Sequence, residues 1–328
     1  MKVLVTGPDG VLGSNIVREL LSQNYEVVAM AENGKASPTI DSLPITKIGG
    51  NLLRTDDVNR AVCGVDYVIH CAALTAMFPA RSEVINKVNI GGTQSVIDAC
   101  ITHKVKRLIY IGTANSFASG TKENPGTEHN VYDGAKYGLD YMDSKYEAQL
   151  LVQQAVKERG LDAIVINPTF MIGPYDSKPS SGQMILSVFK GKVPGYGDGG
   201  KNFVAVKDVA LAATRALTQG EKGNCYIVGN ENLTYKEAFD KISQTLNCKK
   251  ISRRVSPWAM NMFGNINSRL GSLLGYTPQV TKQLARLASE EHYYSASKAQ
   301  RELGITLTPI NVAIAECFEW FKANGYVK

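Results

Sequence analysis

The chain has 328 residues, of which 44% are hydrophobic and 20% charged, with a net charge of +6. That length suffices for one large domain or two ordinary ones around a sizeable core, and the balance is that of a soluble globular protein. Basic residues are scattered, the longest cluster being Lys249-Lys250 with Arg253-Arg254, so no nucleic-acid-binding stripe is present. Gly7, Pro8 and Asp9 break the opening apolar stretch at once, unlike a signal peptide, and no run approaches the roughly 18 apolar residues of a membrane span. Six dispersed cysteines without a CxxC pair point to a reduced, cytoplasmic protein with no metal site.

In chain order, residues 2–6 form a β-branched apolar run that predicts a buried strand. A glycine-rich turn follows, then a helix over 11–22 with Leu12, Ile16, Leu20 and Leu21 at helical spacing. Strands are predicted at 26–30, 66–71, 107–111 and 163–167, with helices at about 82–101 and 139–159, the latter stopped by Gly160. Alternating strands and helices, with strands that are continuous apolar runs, imply a doubly wound parallel α/β sheet covered on both faces. After Pro174 the chain turns Gly/Ser/Pro-rich through residue 200; 203–217 reads as strand then helix, 224–228 as a strand, and from Leu233 the pattern is mainly helical. The expected division is a dinucleotide-binding domain over 1–167, with 202–229 folding back onto it, and a substrate-binding region over 168–201 and 230–328.

The turn Gly7-Pro-Asp9-Gly10-Val11-Leu12-Gly13 lies between the first strand and the first helix. Gly7 permits the tight turn, Gly10 lets the backbone approach a pyrophosphate, and Gly13 lets the helix pack close. Free N–H groups at the helix start then face the anion. This is the Rossmann-type arrangement. Glu32, at the end of the second strand, would accept hydrogen bonds from a ribose 2′-hydroxyl and repel a 2′-phosphate, favouring NAD over NADP, with Lys35 as the counter-indication.

Tyr141 and Lys145 fall one turn apart on the 139–159 helix. An ammonium beside a phenol lowers the phenol's pKa and suits it to pass a proton near neutrality. Two other pairs share the spacing, Tyr132/Lys136 and Tyr294/Lys298, but the first contains Gly134 and the second is far from the cofactor half. Tyr132 and Tyr137 are expected in packing or the substrate pocket. Trp258, Met260, Met262, Phe263, Leu270, Leu273 and Leu274 read as the packing face of an amphipathic helix, with substrate contact as the less favoured reading.

These residues together resemble the extended short-chain dehydrogenase/reductase family over nearly the whole chain. Thr6-Gly7-Pro-Asp-Gly10-Val-Leu-Gly13 matches TGxxGxxG, His70-Cys-Ala72-Ala73 matches H-x-A-A, and Val88-Asn89-Ile-Gly-Gly-Thr93 matches V-N-x-x-G-T. Within that family the chain resembles dihydroflavonol-4-reductase-like and hopanoid-associated sugar epimerase-like proteins, through the stretches 167–174, 202–210 and 295–304. The resemblance implies NAD or NADP as cofactor and a catalytic set of Thr113, Tyr141 and Lys145, with Asn89 positioning the active-site backbone and Ser116 as the fallback hydroxyl. It further implies that Asn51 and Leu52 lie beside the adenine, Ala72, Ala73, Leu74 and Ile111 along the dinucleotide, and Asn167, Pro168, Thr169 and Phe170 beside the nicotinamide. It implies a homodimer through the 82–101 and 139–159 helices. Three functions stay open: a reductase or dehydrogenase acting on a partly apolar ketone or alcohol; a nucleotide-sugar epimerase or dehydratase, disfavoured because Lys201 stands where those enzymes carry a phosphate-clamping Arg; and a non-catalytic dinucleotide-binding protein.

Overall fold

The computed structural model describes residues 1–32, 37–256, 258–259, 262, 264–267 and 281–327. Seven parallel strands form the main sheet in the spatial order β3 (Thr46–Gly49), β2 (Glu26–Ala31), β1 (Lys2–Thr6), β4 (Tyr67–His70), β5 (Arg107–Ile111), β6 (Ala163–Pro168) and β9 (Cys225–Val228). All residues of β4, β6 and β9 are buried, which explains their largely apolar sequences. On one face, α1 (Val11–Ser22) and α7 (Val206–Arg215) pack Leu12, Ile16, Leu20, Val209 and Ala213 against Val3, Val5, Ile109 and Ile166. On the other, α2 (Thr55–Val62), α4 (Gly92–Thr102) and α5 (Asp140–Arg159) pack Val58, Val96, Ile97, Ala148 and Val152 against Val28, Val68 and Leu108. Each such fully buried aliphatic side chain contributes about 1.5–3 kcal/mol, so the two layers fix the strand order and its open carboxyl edge.

A smaller sheet adjoins that edge. Strand β7 (Phe170–Ile172) follows β6 after Thr169 and pairs in parallel with β8 (Gly200–Ala205), placing Phe170 opposite Phe203. Strand β10 (Glu231–Thr234) runs antiparallel to β8, and β11 (Glu291–His292) runs parallel to it. Helices α6 (Gln183–Phe189), α8 (Tyr235–Thr245) and α11 (Ile310–Ala323) cover this sheet with Ile185, Leu186, Phe239, Ile314 and Phe321. Between the last two lie α9 (Lys282–Leu287) and α10 (Ser297–Leu303).

Several sequence expectations are corrected. The 203–217 segment does begin with a strand, but β8 belongs to the smaller sheet; α7 and β9 return to the main one. β3 and α2 were not expected at all. The helix expected over 82–101 is divided into α3 (Glu83–Asn86), a wide π-turn at Lys87–Gly91, and α4. Trp258 and Met262 are exposed, at 71% and 46%, rather than packed into the core; Met260, Phe263, Leu270, Leu273 and Leu274 lie outside the described residues, as does Lys35.

Candidate active site

The glycine turn has the geometry its spacing predicts. Gly7 adopts a positive φ of 64°, and a Cβ there would lie 2.7 Å from the Cα of Ala72. A Cβ on Gly13 would come within 2.0 Å of the Gly7 carbonyl, so α1 can reach the strand only without a side chain at that position. At Gly10 the nearest atom to such a Cβ is the Gly7 oxygen at 3.6 Å, so one side of the turn is open. Gly10 caps α1 with no side-chain hydrogen bond, and no acidic residue lies in the first turn. The start of a twelve-residue helix thus keeps unfilled N–H donors and its positive dipole end for an anion. These residues fit a dinucleotide pyrophosphate. Glu32 is exposed at the end of β2. Asn51 turns inward on its own loop, its Oδ1 accepting from the Leu53 N–H at 2.9 Å. Leu52 packs against Gly92 at the start of α4, where an added Cβ would meet it at 3.2 Å.

Thr113 follows β5 after Gly112 and is buried. Its Oγ1 accepts from the Asn115 N–H at 3.3 Å, and its side chain lies near enough to the Tyr141 phenol on α5 to lower that group's pKa. Burial pushes the Tyr141 phenol above its ordinary pKa, and Thr113 opposes that rise. Lys145, one turn along α5 and only 4% exposed, donates to the Ile111 carbonyl at 2.5 Å and lies 4.3 Å over the ring of Tyr110. Burial pulls its pKa down to about 8. The expected acidifying influence of Lys145 on Tyr141 is therefore not what the protein alone shows: the ammonium is directed to β5, and Thr113 is what lowers the phenol. Ser116, the fallback, is buried with its hydroxyl unpartnered, and its N–H donates to the Thr113 carbonyl at 3.0 Å.

The two other tyrosines at the same spacing, and Tyr137, have committed hydroxyls. Tyr132 donates to Asp143 at 2.6 Å, Tyr137 to Glu290, and Tyr294 to the Phe117 carbonyl at 3.2 Å. Lys136 pairs with Asp133 and Lys298 donates to the Cys225 carbonyl, so neither serves its tyrosine.

Asn89 occupies the π-turn and is 2% exposed. Its Oδ1 accepts from the Leu74 N–H at 2.8 Å, and its Nδ2 donates to the Leu74 carbonyl at 3.0 Å and to Ser144 Oγ at 2.9 Å. It therefore ties the segment after β4, carrying Ala72, Ala73 and Leu74, to the helix bearing Tyr141. A hydrogen-bonded chain that sequence reasoning missed holds the turn. The Ala72 N–H donates to Thr6 Oγ1 (3.2 Å), Thr6 to His70 Nδ1 (2.7 Å), His70 Nε2–H to Thr93 Oγ1 (3.1 Å), and Thr93 to the Asn89 carbonyl (2.6 Å). The fixed donor at Ala72 and acceptor at Asn89 assign the Nε2–H tautomer. Burial lowers the His70 pKa to about 3, so the ring stays neutral. The available signal was a histidine ending an otherwise apolar strand.

Asn167 lies beneath the site: it is fully buried and donates to the Thr113 carbonyl at 3.0 Å and Gln149 at 2.7 Å. Pro168, Thr169 and Phe170 bridge the two sheets, with Thr169 donating to Asn202 at 2.8 Å. Tyr137, Leu139, Met142 and Leu287 form an apolar cluster against Tyr141, Met77 and Ala80. Next to it opens a cleft of about 520 Å³ lined by residues 135–138, Asn265, Lys282, Gln283 and Arg286. Among the described residues no cluster of three potential metal ligands occurs, and no helix is long and apolar enough to cross a membrane.

Residues 3–229 match the family model for the NAD dependent epimerase/dehydratase family. The chain belongs to that family. It is an NAD(P)-dependent oxidoreductase of the extended short-chain dehydrogenase/reductase type, with NAD or NADP as its cofactor and a Rossmann-like fold. A Synechocystis protein that carries the name of a dihydroflavonol 4-reductase is 30% identical over 99% of this chain and 95% of its own length. The 2-alkyl-3-oxoalkanoate reductase of Stenotrophomonas maltophilia is 27% identical over 99% of each chain. The crystal structure of gox2253 superposes with a TM-score of 0.87 at 28% identity, covering 99% of each chain.

Proposed function

We propose that the protein interconverts a partly apolar ketone and its secondary alcohol with NAD as the preferred cofactor, using Thr113, Tyr141 and Lys145. The dinucleotide, when bound, supplies or accepts the hydride. The Thr113 hydroxyl holds the substrate oxygen, the Tyr141 phenol passes the proton to or from that oxygen, and Lys145 fixes the end of β5 and adds positive charge near the phenol. Residues 1–167 and 202–229 serve the cofactor; 168–201 and 230–328 serve the substrate. Asn89 positions the backbone on which Tyr141 stands. Gly7, Gly10, Gly13 and the N–H groups of Val11 and Leu12 hold the pyrophosphate. Glu32 reads the ribose.

The observation that carries this reading is the hydroxyl pair. The Tyr141 phenol neighbours Thr113 at the carboxyl edge of the sheet and has no competing acceptor among the hydrogen bonds of the described residues, while the phenols of Tyr132, Tyr137 and Tyr294 are tied to a carboxylate or a carbonyl. The apolar cluster of Leu139, Met142, Leu287 and Met77 beside Tyr141 supports a substrate with hydrocarbon character, as do the names of the reductase relatives. An epimerase or dehydratase reading is weaker, because Lys201 offers a point charge rather than the bidentate fork suited to a diphosphate. The test is to titrate NAD(H) and NADP(H), then follow nicotinamide absorbance with ketones, alcohols and nucleotide sugars. Turnover of nucleotide sugars alone would reject the proposal.

A homodimer through the helices spanning 83–102 and α5 is part of the same proposal, supported by exposed Val84 and Leu150 on those helices. A monomer by sedimentation would reject it.

A further inference from the structure

Lys201, on strand β8, is half-buried and has no charge partner among the described residues. Among the described residues its ammonium meets no carboxylate and no hydrogen-bond acceptor; its one contact of note is the face of Phe170, with 5.0 Å from Nζ to the ring centroid. Burial lowers its pKa to about 8, and no neighbouring group offsets the shift. A partly desolvated ammonium with no counter-charge favours the arrival of a group of opposite charge. Lys201 lies opposite His292 in the β8–β11 register, so the two side chains are neighbours. His292 is buried, and its Nε2 has no hydrogen-bond partner among the described residues. The Lys201 charge depresses the imidazole pKa further, to about 4 in all.

Both residues neighbour side chains that flank the Thr113–Tyr141 region. Phe170 stands two residues after Pro168 at the end of β6, and it meets Phe203, the residue two along from Lys201, edge to face at 5.3 Å. On the other side, the His292 ring lies 5.9 Å from that of Tyr137, a member of the apolar cluster against which Tyr141 packs. The charged groups nearby are already engaged: Glu290 takes the Tyr137 hydroxyl and the charges of Lys136 and Arg286, and Arg286 also donates to the Lys136 carbonyl.

Resting on the ketone/alcohol reading above, we propose that Lys201 and His292 form a subsite for a carboxylate on the substrate, so that the protein acts on an oxo or hydroxy acid with an apolar chain. One ammonium and one imidazole match a single negative charge. They do not match a diphosphate, since the other cations of this wall are occupied. The carboxylate would accept from Lys201 and from His292 in the Nε2–H form, relieving two unmet groups at once.

The test compares a 2-alkyl-3-hydroxy acid with its methyl ester, for the wild type, Lys201→Met and Lys201→Arg, beside calorimetric binding of a redox-inert 2-alkyl carboxylate and of UDP. Wild type is expected to prefer the acid. Lys201→Met should lower kcat/KM for the acid by about tenfold or more relative to the ester, chiefly through KM, and Lys201→Arg should restore part of that preference. Equal handling of acid and ester by wild type, an equal loss of both in Lys201→Met, or Lys201-dependent binding of UDP tighter than that of the acid overturns the subsite. If neither compound reacts but the inert acid binds through Lys201, the subsite stands and the redox reading falls. Turnover of neutral ketones with no preference for acids does the reverse.

Discussion

The ammonium of Lys145 donates 2.5 Å to the main-chain carbonyl of Ile111, joining the helix that carries the phenol to the strand that carries the hydroxyl. Two residues further along that strand's exit, Thr113 reaches Tyr141. Two positions on α5 thus meet one short stretch of backbone, and under the proposed mechanism removing a single member should separate chemistry from binding.

Tyr141→Phe removes the proton carrier and leaves the packing. It should lower kcat by about 10²–10⁴-fold. NADH fluorescence titration should show cofactor affinity within a few-fold of wild type. Thr113→Val should lower kcat/KM by a smaller factor. A Tyr141→Phe variant with unchanged turnover would remove the phenol from the mechanism.

Lys145 carries a stability signature. Its folded pKa of about 8 lies below the 10.5 of an ordinary lysine, so between those values the unfolded chain binds more protons than the folded one. Stability contributed at this site is therefore poorest below about pH 8 and rises as pH climbs toward 10.5. Denaturant melts at pH 7.5 and pH 9.5 for wild type and Lys145→Met should show the wild type gaining relative to the variant at the higher pH. A constant difference between the two proteins would contradict the buried-ammonium account.

Gly10 and Gly13 should respond differently to alanine. Gly13→Ala places a methyl 2.0 Å from the Gly7 carbonyl and forces α1 off the strand, so a loss of several kcal/mol and poor folding are expected. Gly10→Ala meets nothing closer than 3.6 Å. It should fold with a melting temperature close to wild type yet bind NAD more weakly, because the added methyl enters the space open to a phosphate. Equal behaviour of the two variants in melting and NAD titration would refute the assigned roles.

Asn89→Ala leaves the Leu74 N–H and carbonyl and Ser144 without their partner. A destabilisation of about 1–3 kcal/mol is expected, together with a lower kcat, from the unsatisfied buried groups. Thermal melts and steady-state rates check both effects. If only stability falls, Asn89 braces the fold without positioning Tyr141.

The first β–α unit was legible in the sequence because its constraints are local. Gly10 and Gly13 answer to backbone contacts within a few residues, Gly7 needs the positive φ of a tight turn, and the buried strands announce themselves as apolar runs. β3 was not legible: only four residues long, it is largely exposed at the sheet edge and shows neither an apolar run nor a clean alternation. The π-turn depends on Thr93 and on the bonds of Asn89 to Leu74 and Ser144, partners remote along the chain, so no hydrophobic period reports it. The same is true of His70, whose two ring nitrogens are satisfied from positions 64 and 23 residues away. The tyrosine spacing occurred in three places, and what separates them is where each hydroxyl points. The smaller sheet escaped notice because β7, β10 and β11 are each four residues or fewer.

Asn202 sits where the two sheets meet: it receives the Thr169 hydroxyl and the Asn230 N–H on Oδ1, and its Nδ2 reaches Asn232 and the Tyr294 carbonyl. One amide therefore gathers four segments from distant parts of the chain into a fixed joint. Beyond that joint, loops can be exchanged or lengthened without disturbing the hydride-transfer apparatus, so a change of substrate range should be reachable through β11 and its flanks while the nucleotide half is left untouched.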